Sequence, residues 1–444
     1  MQIATVALGV RSLRAAYRSG ALTPHDVVDE VLDRIAARGD DGVWISRSTR
    51  AELHEQASSL RSVDLPLYGV PFAVKDNIDV AGLPTTAACP AFAHDPAADA
   101  TAVRLLREAG AIVVGKTNLD QFATGLGGGR SPYGAPESVF GGDLVSGGSS
   151  SGSAVAVAAG EVAFSLGTDT AGSGRVPAAM NGIVGLKPTR GLVSTAGVLP
   201  ACRSLDCVSV FAHDLDDAAD VLAVLARPDP ADPWSRSALV SGERGPGPGS
   251  HSRVLVATGL DFEGDTAMEA AFAAVAERAQ PVGTTPVGPL QEAGDLLYTG
   301  PWVAERLAGL ESFLDEHPDD VLPVTRAVIE AGHGFSAVDA FRARHRLQEL
   351  RAGCDRLWDR ADVLLLPTVP TTFTRAQLAE QPVARNLVLG RYTQFANLLD
   401  LAAVAVPAGT TADGRPVGVT LLGPAFSEDR LIATARRMTT WEAA

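Results

Sequence analysis

Residues 146–179 have the sequence SGGSSSGSAVAVAAGEVAFSLGTDTAGSGRVPAA, and this stretch decides the fold. A serine–glycine cluster opens it, the small-residue run SAVAVAAG (153–160) follows, and VAFSLGTDT (162–170) comes next. The small-residue run predicts a helix that packs closely against its neighbours, and the apolar run predicts a buried strand that ends in a loop. A helix followed at once by a buried strand is typical of an α/β sheet that helices cover on both faces.

The same pattern extends in both directions along the chain. Further apolar runs predict strands of that sheet, namely PLYGVPFAVKDNIDV (66–80), AIVVGKT (111–117), RVLVATG (253–259), DVLLLPT (362–368), AAVAVPAG (402–409) and VGVTLLG (417–423). The late runs resemble the early ones in being uniformly apolar, which favours parallel strands. TAVRLLREAGA (101–111) predicts a helix, and residues 1–60 are expected to be helical, with Thr23 as a helix cap before Pro24.

We expect one domain over residues 1–444, because the late strands complete the sheet that the early ones begin. Its predicted parts are N-terminal helices at 1–60, a core at 61–225, a surface linker at 226–252, a mostly helical elaboration at 253–361 and a return to the sheet at 362–444. Proline, glycine and serine are dense in the predicted linker, ARPDPADPWSRSALVSGERGPGPGSHS.

Composition excludes several classes of function. The formal net charge of −15 argues against a nucleic-acid binder. The first twenty residues predict an amphipathic helix rather than a signal peptide, and no stretch approaches 18 uninterrupted apolar residues. The four cysteines form no CxxC pair, and neither HExxH nor a histidine–cysteine cluster is present, so no metal site is expected. A cytoplasmic protein that does not associate with membranes is predicted.

Two literal motif matches do not hold on closer reading. Residues 110–117, GAIVVGKT, fit the phosphate-binding pattern GxxxxGK[ST], but their middle residues are strand-forming and a helix precedes them. Residues 148–152, GSSSG, fit the GxSxG pattern of α/β-hydrolases, which needs a downstream acid and then a histidine. Histidines follow, but each lies in a segment that predicts a surface or helix position.

Three segments together carry a more specific signal. They are VKDN at 74–77, SGGSSSGS at 146–153 and GTDTAGSGRVPA at 167–178. With them, the chain resembles the amidase signature family over about residues 20–435, most densely in 68–210. The resemblance implies an α/β fold with a large mixed central β-sheet, helices on both faces and a helical elaboration. It also implies an amide hydrolase that needs no cofactor, and a homodimer.

The resemblance assigns roles to individual residues. Lys75 matches the family's base, Ser149 the serine that follows a cis peptide bond, here from Gly148, and Ser173 the nucleophile. The loop expected to form the oxyanion hole comprises Thr170, Ala171, Gly172 and Ser173. The chemistry suits these residues, because a serine hydroxyl needs a base, and burial at a strand end lowers the pKa of a lysine enough to supply one. Ser149 can accept one proton while it donates another.

Within the family, residues 76–92, 115–126, 167–179 and 186–211 resemble allophanate hydrolases, as do Ala171 and Gly174. This implies release of ammonia from allophanate, a urea that carries a carboxylate on one nitrogen, which a biotin-dependent urea carboxylase would supply. In the segment LYTGPWVAER (297–306), Arg306 is expected to bind the substrate carboxylate and Tyr298 to donate a hydrogen bond to it. Arg175 is the rival carboxylate ligand, but its place two residues after Ser173 favours a role in holding the loop.

Two departures from the subfamily leave alternatives open. Allophanate hydrolases often carry a second, C-terminal domain that decarboxylates the first product, whereas this sequence stops where the amidase domain would end. Gly127, Gly128 and Gly129 stand where we expect at least one bulkier residue, so specificity could differ. The alternatives are an amidase for biuret, carboxybiuret or malonamate, the glutaminase subunit of a tRNA-dependent amidotransferase, and a catalytically inactive scaffold subunit. The presence of all three predicted catalytic residues, Lys75, Ser149 and Ser173, argues against the inactive scaffold subunit.

Overall fold

The computed structural model describes residues 8–237 and 252–439. The N-terminal part contains α1 (Val10–Ser19), α2 (Pro24–Arg38), β1 (Trp44–Arg47) and α3 (Arg50–Ser59). The predicted cap of α2 is confirmed, because the Thr23 hydroxyl accepts from the backbone N–H of Asp26 and Pro24 is the first helical residue. The strand β1 was not predicted, since it is only four residues long and partly buried.

The other strands are β2 (Pro71–Lys75), β3 (Ile112–Thr117), β4 (Phe164–Asp169), β5 (Val184–Lys187), β6 (Cys207–Ala212), β7 (Val254–Thr258), β8 (Gly283–Pro286), β9 (Val363–Pro367), β10 (Ala402–Thr410) and β11 (Pro416–Gly423). Within the described residues they form one eleven-stranded sheet in the order β1-β3-β2-β4-β6-β5-β10-β11-β9-β7-β8. The sheet is mixed, because β2, β3 and β4 run parallel to one another while β4 and β6 are antiparallel. The predicted mixed sheet is confirmed.

The prediction of parallel late strands is confirmed for β7 and β9, which run parallel to each other, but it was wrong for the last two strands. Residues 402–410 and 416–423 form an antiparallel hairpin, and β11 is also antiparallel to β9. The connection between β10 and β11 is too short for a parallel crossover, which needs a dozen or more residues. A tight turn closes it, with the N–H of Thr411 donating to the carbonyl of Arg415 and Gly414 at a φ of +86°.

The remaining helices are α4 (Thr101–Glu108), α5 (Ser151–Ala158), α6 (Val176–Met180), α7 (Leu215–Leu225), α8 (Thr266–Arg278), α9 (Gly288–Tyr298), α10 (Trp302–Ala308), α11 (Glu311–Glu316), α12 (Pro323–Glu330), α13 (Ala337–Asp355), α14 (Arg375–Glu380), α15 (Ala384–Gly390), α16 (Phe395–Leu398) and α17 (Glu428–Thr439). Residues 253–361 contain α8 to α13 and the two short strands β7 and β8, so the stretch is mostly helical as predicted. No described helix is long and apolar enough to cross a membrane.

Helices cover both faces of the sheet, as β9 demonstrates. Successive side chains of a strand point to opposite faces. Val363 and Leu365 accordingly belong to a large apolar cluster that includes residues of α5, α7 and α17. Leu364 and Leu366 belong to a second cluster with residues of α9, α13 and α16. The strand is therefore buried on both sides, which explains why its sequence is continuously apolar.

The predicted surface linker lies partly outside the described residues, which omit 238–251. Its first part packs on the loop that contains Thr195, where the carboxylate of Asp232 accepts a hydrogen bond from the backbone N–H of Thr195 at 2.6 Å. The guanidinium of Arg236 lies 5.0 Å from the ring centre of Phe426. All four cysteines are buried and free of disulfides.

A buried ion pair joins β3 to the end of β2, where Lys116 Nζ lies 2.9 Å from Asp76 Oδ1 and both side chains are inaccessible. We expect Lys116→Met to lower the free energy of unfolding by about 3–5 kcal/mol, because it leaves a buried carboxylate without its cation. Guanidinium chloride denaturation measures the loss. The double variant with Asp76→Asn is expected to recover part of it, and a single-variant loss below about 1 kcal/mol would contradict the account.

Candidate active site

Lys75 is the last residue of β2, and its side chain has no exposed surface. Its Nζ donates to Ser149 Oγ at 2.8 Å and to Thr168 Oγ1 at 2.7 Å. Among the described residues no carboxylate lies within ion-pair distance of it. Burial lowers the pKa of Lys75 to about 7, although the more distant charge of Asp120 opposes the shift. A large fraction of this amine is therefore neutral near pH 7 and able to accept a proton.

The peptide bond between Gly148 and Ser149 is cis, as the resemblance implies. Backbone hydrogen bonds hold both residues, because the N–H of Asp120 donates to Ser149 O at 3.0 Å and the N–H of Gly148 donates to Leu126 O at 2.7 Å. A Cβ on Gly148 would lie 2.1 Å from Asp120 Oδ2, so only glycine fits there. The loop that begins at Asp120 thus fixes the position of the Ser149 hydroxyl.

Ser173 lies in the turn between β4 and α6 and is 3% exposed. The carboxylate of Asp169 organises this turn by accepting from the N–H groups of Gly172 at 2.9 Å and Gly174 at 3.0 Å. Arg175 donates to both oxygens of Asp169 at 2.9 Å, and both side chains are fully buried. Burial raises the pKa of Asp169, but Arg175 outweighs it and keeps the pKa below the usual value. The predicted role of Arg175 in holding the loop is confirmed.

The structure brings Lys75 and Ser149 into direct contact but does not join Ser173 to either. Among the described residues, Ser173 Oγ makes no hydrogen bond to Ser149 or Lys75. Thr168 nevertheless connects Lys75 with the segment that contains Ser173. Its hydroxyl accepts a hydrogen bond from Lys75 Nζ, and the chain continues from it through the turn to Ser173. Hydrogen bonds of this kind commonly tighten only when substrate binds. The role of Ser173 as nucleophile stays a prediction.

The four predicted oxyanion-hole residues differ in what their polar groups do. The N–H of Gly172 is committed to Asp169, so it is not free for an oxyanion. The Thr170 hydroxyl donates to Asp206 at 2.5 Å. In the described part of the chain, the backbone N–H groups of Thr170, Ala171 and Ser173 have no acceptor, and these three donors remain the candidates.

Arg306 lies on α10 and is 3% exposed, so it is not the solvated arginine of an ordinary surface helix. Its Nη1 donates to Thr124 Oγ1 at 2.5 Å and to Ala123 O at 3.3 Å, and no described carboxylate lies within ion-pair distance. Tyr298 ends α9 and is partly buried. Burial raises the pKa of Tyr298 although the charge of Arg306 opposes it, so the hydroxyl stays protonated and able to donate.

Tyr298 lines a cavity of about 280 Å³, and Arg306 reaches its edge only through Thr124, the residue before the lining residue Gly125. Its walls include Gly125, Leu126, Arg130, Tyr298, Thr299, Ala327, Val328, Ala331, Val383, Asn386 and Leu387. Leu126 is also the residue whose carbonyl accepts from Gly148, so the cavity wall is one hydrogen bond away from the cis peptide. The lining is mostly apolar with a few polar groups, which is typical of a small-molecule site.

The unexpected run of three glycines has a structural reason at two positions. A Cβ on Gly127 would lie 2.1 Å from Leu378 Cδ2, so Leu378 occupies the space that a larger residue would fill. Gly128 has a φ of +80°, and a Cβ there would lie 2.5 Å from Gly147 O. Gly129 has no such constraint. The side chain of Leu378, on α14, therefore fills the space beside Gly127 that a larger residue at that position would take.

Several residues of the site were not predicted as such. Thr168 and Asp169 lie inside the GTDT motif, and Asp120 lies in GKTNLDQF, so their motifs were noticed but their roles were not. Asn397 supports the same turn from a distant segment by donating to Asp169 O at 2.6 Å. No sequence signal marks Asn397, because its contact exists only once the chain is folded.

The other two motif matches have structural explanations. Residues 112–117 form β3 rather than a phosphate-binding loop. Ser150, the central serine of GxSxG, donates to Thr168 O at 3.1 Å and accepts from Thr168 N, and no described histidine contacts it. Neither a nucleotide site nor a histidine-based triad is built from these described segments. In the described residues, no three histidine, cysteine or acidic side chains are grouped as a metal site.

Comparison with known proteins adds independent information. The family model described as Amidase matches residues 26–432. The urea amidolyase of Saccharomyces cerevisiae is 46% identical over 422 residues, which are 93% of this chain and 23% of that protein. The chain thus spans about a quarter of the length of such curated relatives. One subunit of the glutamyl-tRNA(Gln) amidotransferase of Synechococcus is 34% identical, with 95% of this chain and 94% of that protein covered.

Solved structures agree with the sequence comparison. The allophanate hydrolase of Kluyveromyces lactis superposes with a TM-score of 0.91 at 41% sequence identity, covering 98% of this chain and 73% of that one. The urea amidolyase of the same yeast gives a TM-score of 0.90 at 41% identity, covering 98% of this chain and 27% of that one.

Proposed function

The chain belongs to the amidase family, and we propose that it is an amidohydrolase that hydrolyses the terminal amide of allophanate. The observation that supports this substrate is the burial of the Arg306 guanidinium, which has no carboxylate at ion-pair distance among the described residues. Such a cation needs an anionic partner, because an unpaired buried charge is costly. Allophanate is a small amide with one carboxylate, and the likeness to proteins named allophanate hydrolase and urea amidolyase supports the same choice.

In the proposed reaction a proton passes from Ser173 through Ser149 to Lys75. Ser173 Oγ attacks the terminal carbonyl carbon of allophanate while its proton passes through Ser149 to the neutral amine of Lys75. The tetrahedral oxyanion faces the candidate N–H donors of Thr170, Ala171 and Ser173. Collapse breaks the bond to the terminal nitrogen, which takes the proton back from Lys75 and leaves as ammonia. Water then attacks the acyl-enzyme by the same relay and releases N-carboxycarbamate, so one water is consumed for each ammonia.

The proposed binding mode places the substrate carboxylate at Arg306, with Tyr298 donating to the substrate from the cavity wall. Both side chains are preorganised, because Thr124 and Ala123 fix the guanidinium and α9 fixes the tyrosine. An amide without a carboxylate would leave Arg306 unpaired. We therefore expect discrimination in favour of anionic amides.

A second candidate is supported by the match to glutamyl-tRNA(Gln) amidotransferase subunits over nearly their whole length. Such a subunit would release ammonia from glutamine and pass it to a partner. Allophanate and glutamine both carry a carboxylate that the buried Arg306 could bind, so substrate profiling has to separate the two candidates.

Ammonia release from allophanate, biuret, malonamate and glutamine tests the proposal. We expect kcat/KM for allophanate to exceed that for biuret by about 100-fold or more, because biuret replaces the carboxylate by a neutral amide and forfeits a charged hydrogen-bond pair. Coupled detection of ammonia at matched concentrations measures the ratio. Faster turnover of glutamine than of allophanate would refute the substrate and favour the amidotransferase role.

The wider setting is proposed on the same basis. A biotin-dependent urea carboxylase is the class of enzyme that supplies allophanate, and the much greater length of the relatives named urea amidolyase supports such a link. The product N-carboxycarbamate then loses CO2, either spontaneously or in a further catalysed step. We also propose a cytoplasmic homodimer, and the four buried free thiols suit a reducing compartment.

A further inference from the structure

Arg130 is a second buried guanidinium near the proposed substrate site, and the reaction above does not use it. The residue is 8% exposed and follows the glycine run beside the cavity. Its Nη1 donates to Thr124 O at 2.8 Å and its Nη2 to Pro382 O at 2.6 Å. The buried Nε has no hydrogen-bond partner among the described residues. A donor left unpaired inside a protein is uncommon and calls for an explanation.

Arg130 and Arg306 share one residue as an anchor. Arg130 donates to the carbonyl of Thr124 and Arg306 donates to its hydroxyl, so a single threonine lies between the two guanidinium groups. Their other oxygen acceptors are the neutral backbone carbonyls of Pro382 and Ala123. Among the described residues, neither has a carboxylate within ion-pair distance. Two like charges are therefore buried side by side without a direct counter-charge.

The nearest carboxylates do not neutralise this pair. Asp120 acts on Arg130 at longer range, but its oxygens accept from the N–H groups of Gly128 and Arg130. Asp206 acts on Arg306 at longer range, and its oxygens accept from the Thr170 hydroxyl and two backbone N–H groups. Burial lowers the pKa of Arg130, and the charge of Arg306 lowers it further. An anionic ligand between the two would offset this cost.

The position of Arg130 connects it to the catalytic residues. Its side chain lines the cavity of about 280 Å³ together with Tyr298 and Asn386. Its backbone N–H donates to Asp120 Oδ1 at 2.8 Å, and the N–H of Asp120 donates to Ser149 O at 3.0 Å. The backbone of Arg130 is therefore linked, through Asp120, to the backbone of Ser149 in the proposed proton relay.

We propose that Arg130 is a specificity-determining residue that acts with Arg306 on the carboxylate of the substrate. The inference rests on the proposed function and adds a second cation to its binding site. A carboxylate has two oxygens and about four acceptor positions, so it can satisfy donors from both arginines. Two cations stabilise an anionic amide and leave a neutral amide of the same shape without benefit, because the neutral group cannot compensate both charges.

Allophanate and biuret form a matched pair of probes, since they differ only in a carboxylate against a carboxamide. We expect Arg130→Gln to lower kcat/KM for allophanate by about 10- to 100-fold and to change kcat/KM for biuret by less than about threefold. The loss should fall mainly on KM. Arg130→Lys keeps the charge and is expected to retain an intermediate preference for allophanate.

Arg385 supplies the matched control, because it precedes the cavity residue Asn386 but forms its own ion pair with Glu380 and lies 5.5 Å from the ring centre of Phe373. Arg385→Gln should leave the ratio of the two kcat/KM values within about threefold of wild type. Circular dichroism and thermal melting verify that each variant is folded.

The outcomes separate this inference from the proposed function. If Arg130→Gln lowers kcat/KM equally for allophanate and biuret, or lowers neither, the ratio of the two values is unchanged. Arg130 then has no role in specificity, and the inference is overturned. If wild type prefers malonamate to malonamide but does not use allophanate, the proposed substrate fails and the same variant is judged on that pair. A wild-type enzyme that prefers the neutral member of both pairs overturns the substrate and the inference together.

Discussion

A Lys75→Met enzyme is expected to lose about 10³- to 10⁴-fold of kcat while it remains folded. Methionine has a similar volume but cannot accept the proton that Ser173 loses through Ser149. In the proposed reaction the lysine amine also returns a proton to the departing nitrogen. Its loss therefore slows both the attack of Ser173 and the departure of ammonia. Initial rates of ammonia release, normalised to folded protein, measure the loss. A reduction of less than about tenfold would show that another group is the base.

The pH dependence of the wild-type enzyme tests the same role. Only neutral Lys75 can act as the base, and burial lowers its pKa to about 7. The rate therefore rises with pH as the amine loses its proton, and kcat/KM should climb through about pH 7 to a plateau above it. This ascending limb should be absent from the residual activity of Lys75→Met.

The two buried lysines of adjacent strands give a contrast in stability. Among the described residues the amine of Lys75 hydrogen-bonds to two hydroxyl groups and to no carboxylate, whereas Lys116 pairs with Asp76. Removal of Lys75 leaves no orphaned charge, so its free energy of unfolding should stay within about 2 kcal/mol of wild type. Lys116→Met should lose stability instead. A Lys75→Met protein that is unfolded would remove the basis for interpreting its kinetics.

A Ser173→Ala enzyme is expected to lose about 10⁵- to 10⁶-fold of kcat, the scale seen when a serine nucleophile is removed. The turn around the residue should persist, because Asp169 binds the backbone of Gly172 and Gly174 rather than the serine hydroxyl. Substrate binding should therefore survive in the variant. Isothermal titration with allophanate and the ammonia assay measure the two properties separately.

Ser150 is the matched control for that experiment, since it is the central serine of the competing GxSxG motif. Within the part of the chain that the structure describes, its hydroxyl hydrogen-bonds to the backbone of Thr168 alone, so Ser150→Ala should reduce kcat by less than about tenfold. If Ser150→Ala abolishes turnover while Ser173→Ala retains it, the assignment of the nucleophile is reversed.

Much of the fold was predictable from the sequence because it depends on local patterns. The run Val363 to Pro367 is apolar on both faces and could only be a buried strand, and Thr23 with Pro24 marks the start of a helix. The direction of strands 402–410 and 416–423 was not predictable from apolarity alone. Direction depends on the short turn at Gly414, which the apolar pattern does not express.

The residues of the candidate site likewise fall into two groups, those that the sequence predicted and those that it did not. Lys75, Ser149 and Ser173 lie in dense motifs, and the resemblance to the family predicted their roles from those motifs. The structure brings Lys75 and Ser149 into contact, while the roles of all three stay predictions. Arg130 was missed because nothing local distinguishes a buried arginine from a surface one. Its burial results from contacts with Thr124 and with Pro382, a residue 252 positions away in the sequence. Such pairings exist only after the sheet has assembled.

The most direct test of the central claim is to label the enzyme with a fluorophosphonate and map the modified residue by peptide mass spectrometry. The account predicts a single adduct on Ser173, formed at a rate that increases through about pH 7 and falls sharply in Lys75→Met. An adduct on Ser150, or labelling of Ser173 at the same rate without Lys75, would contradict it.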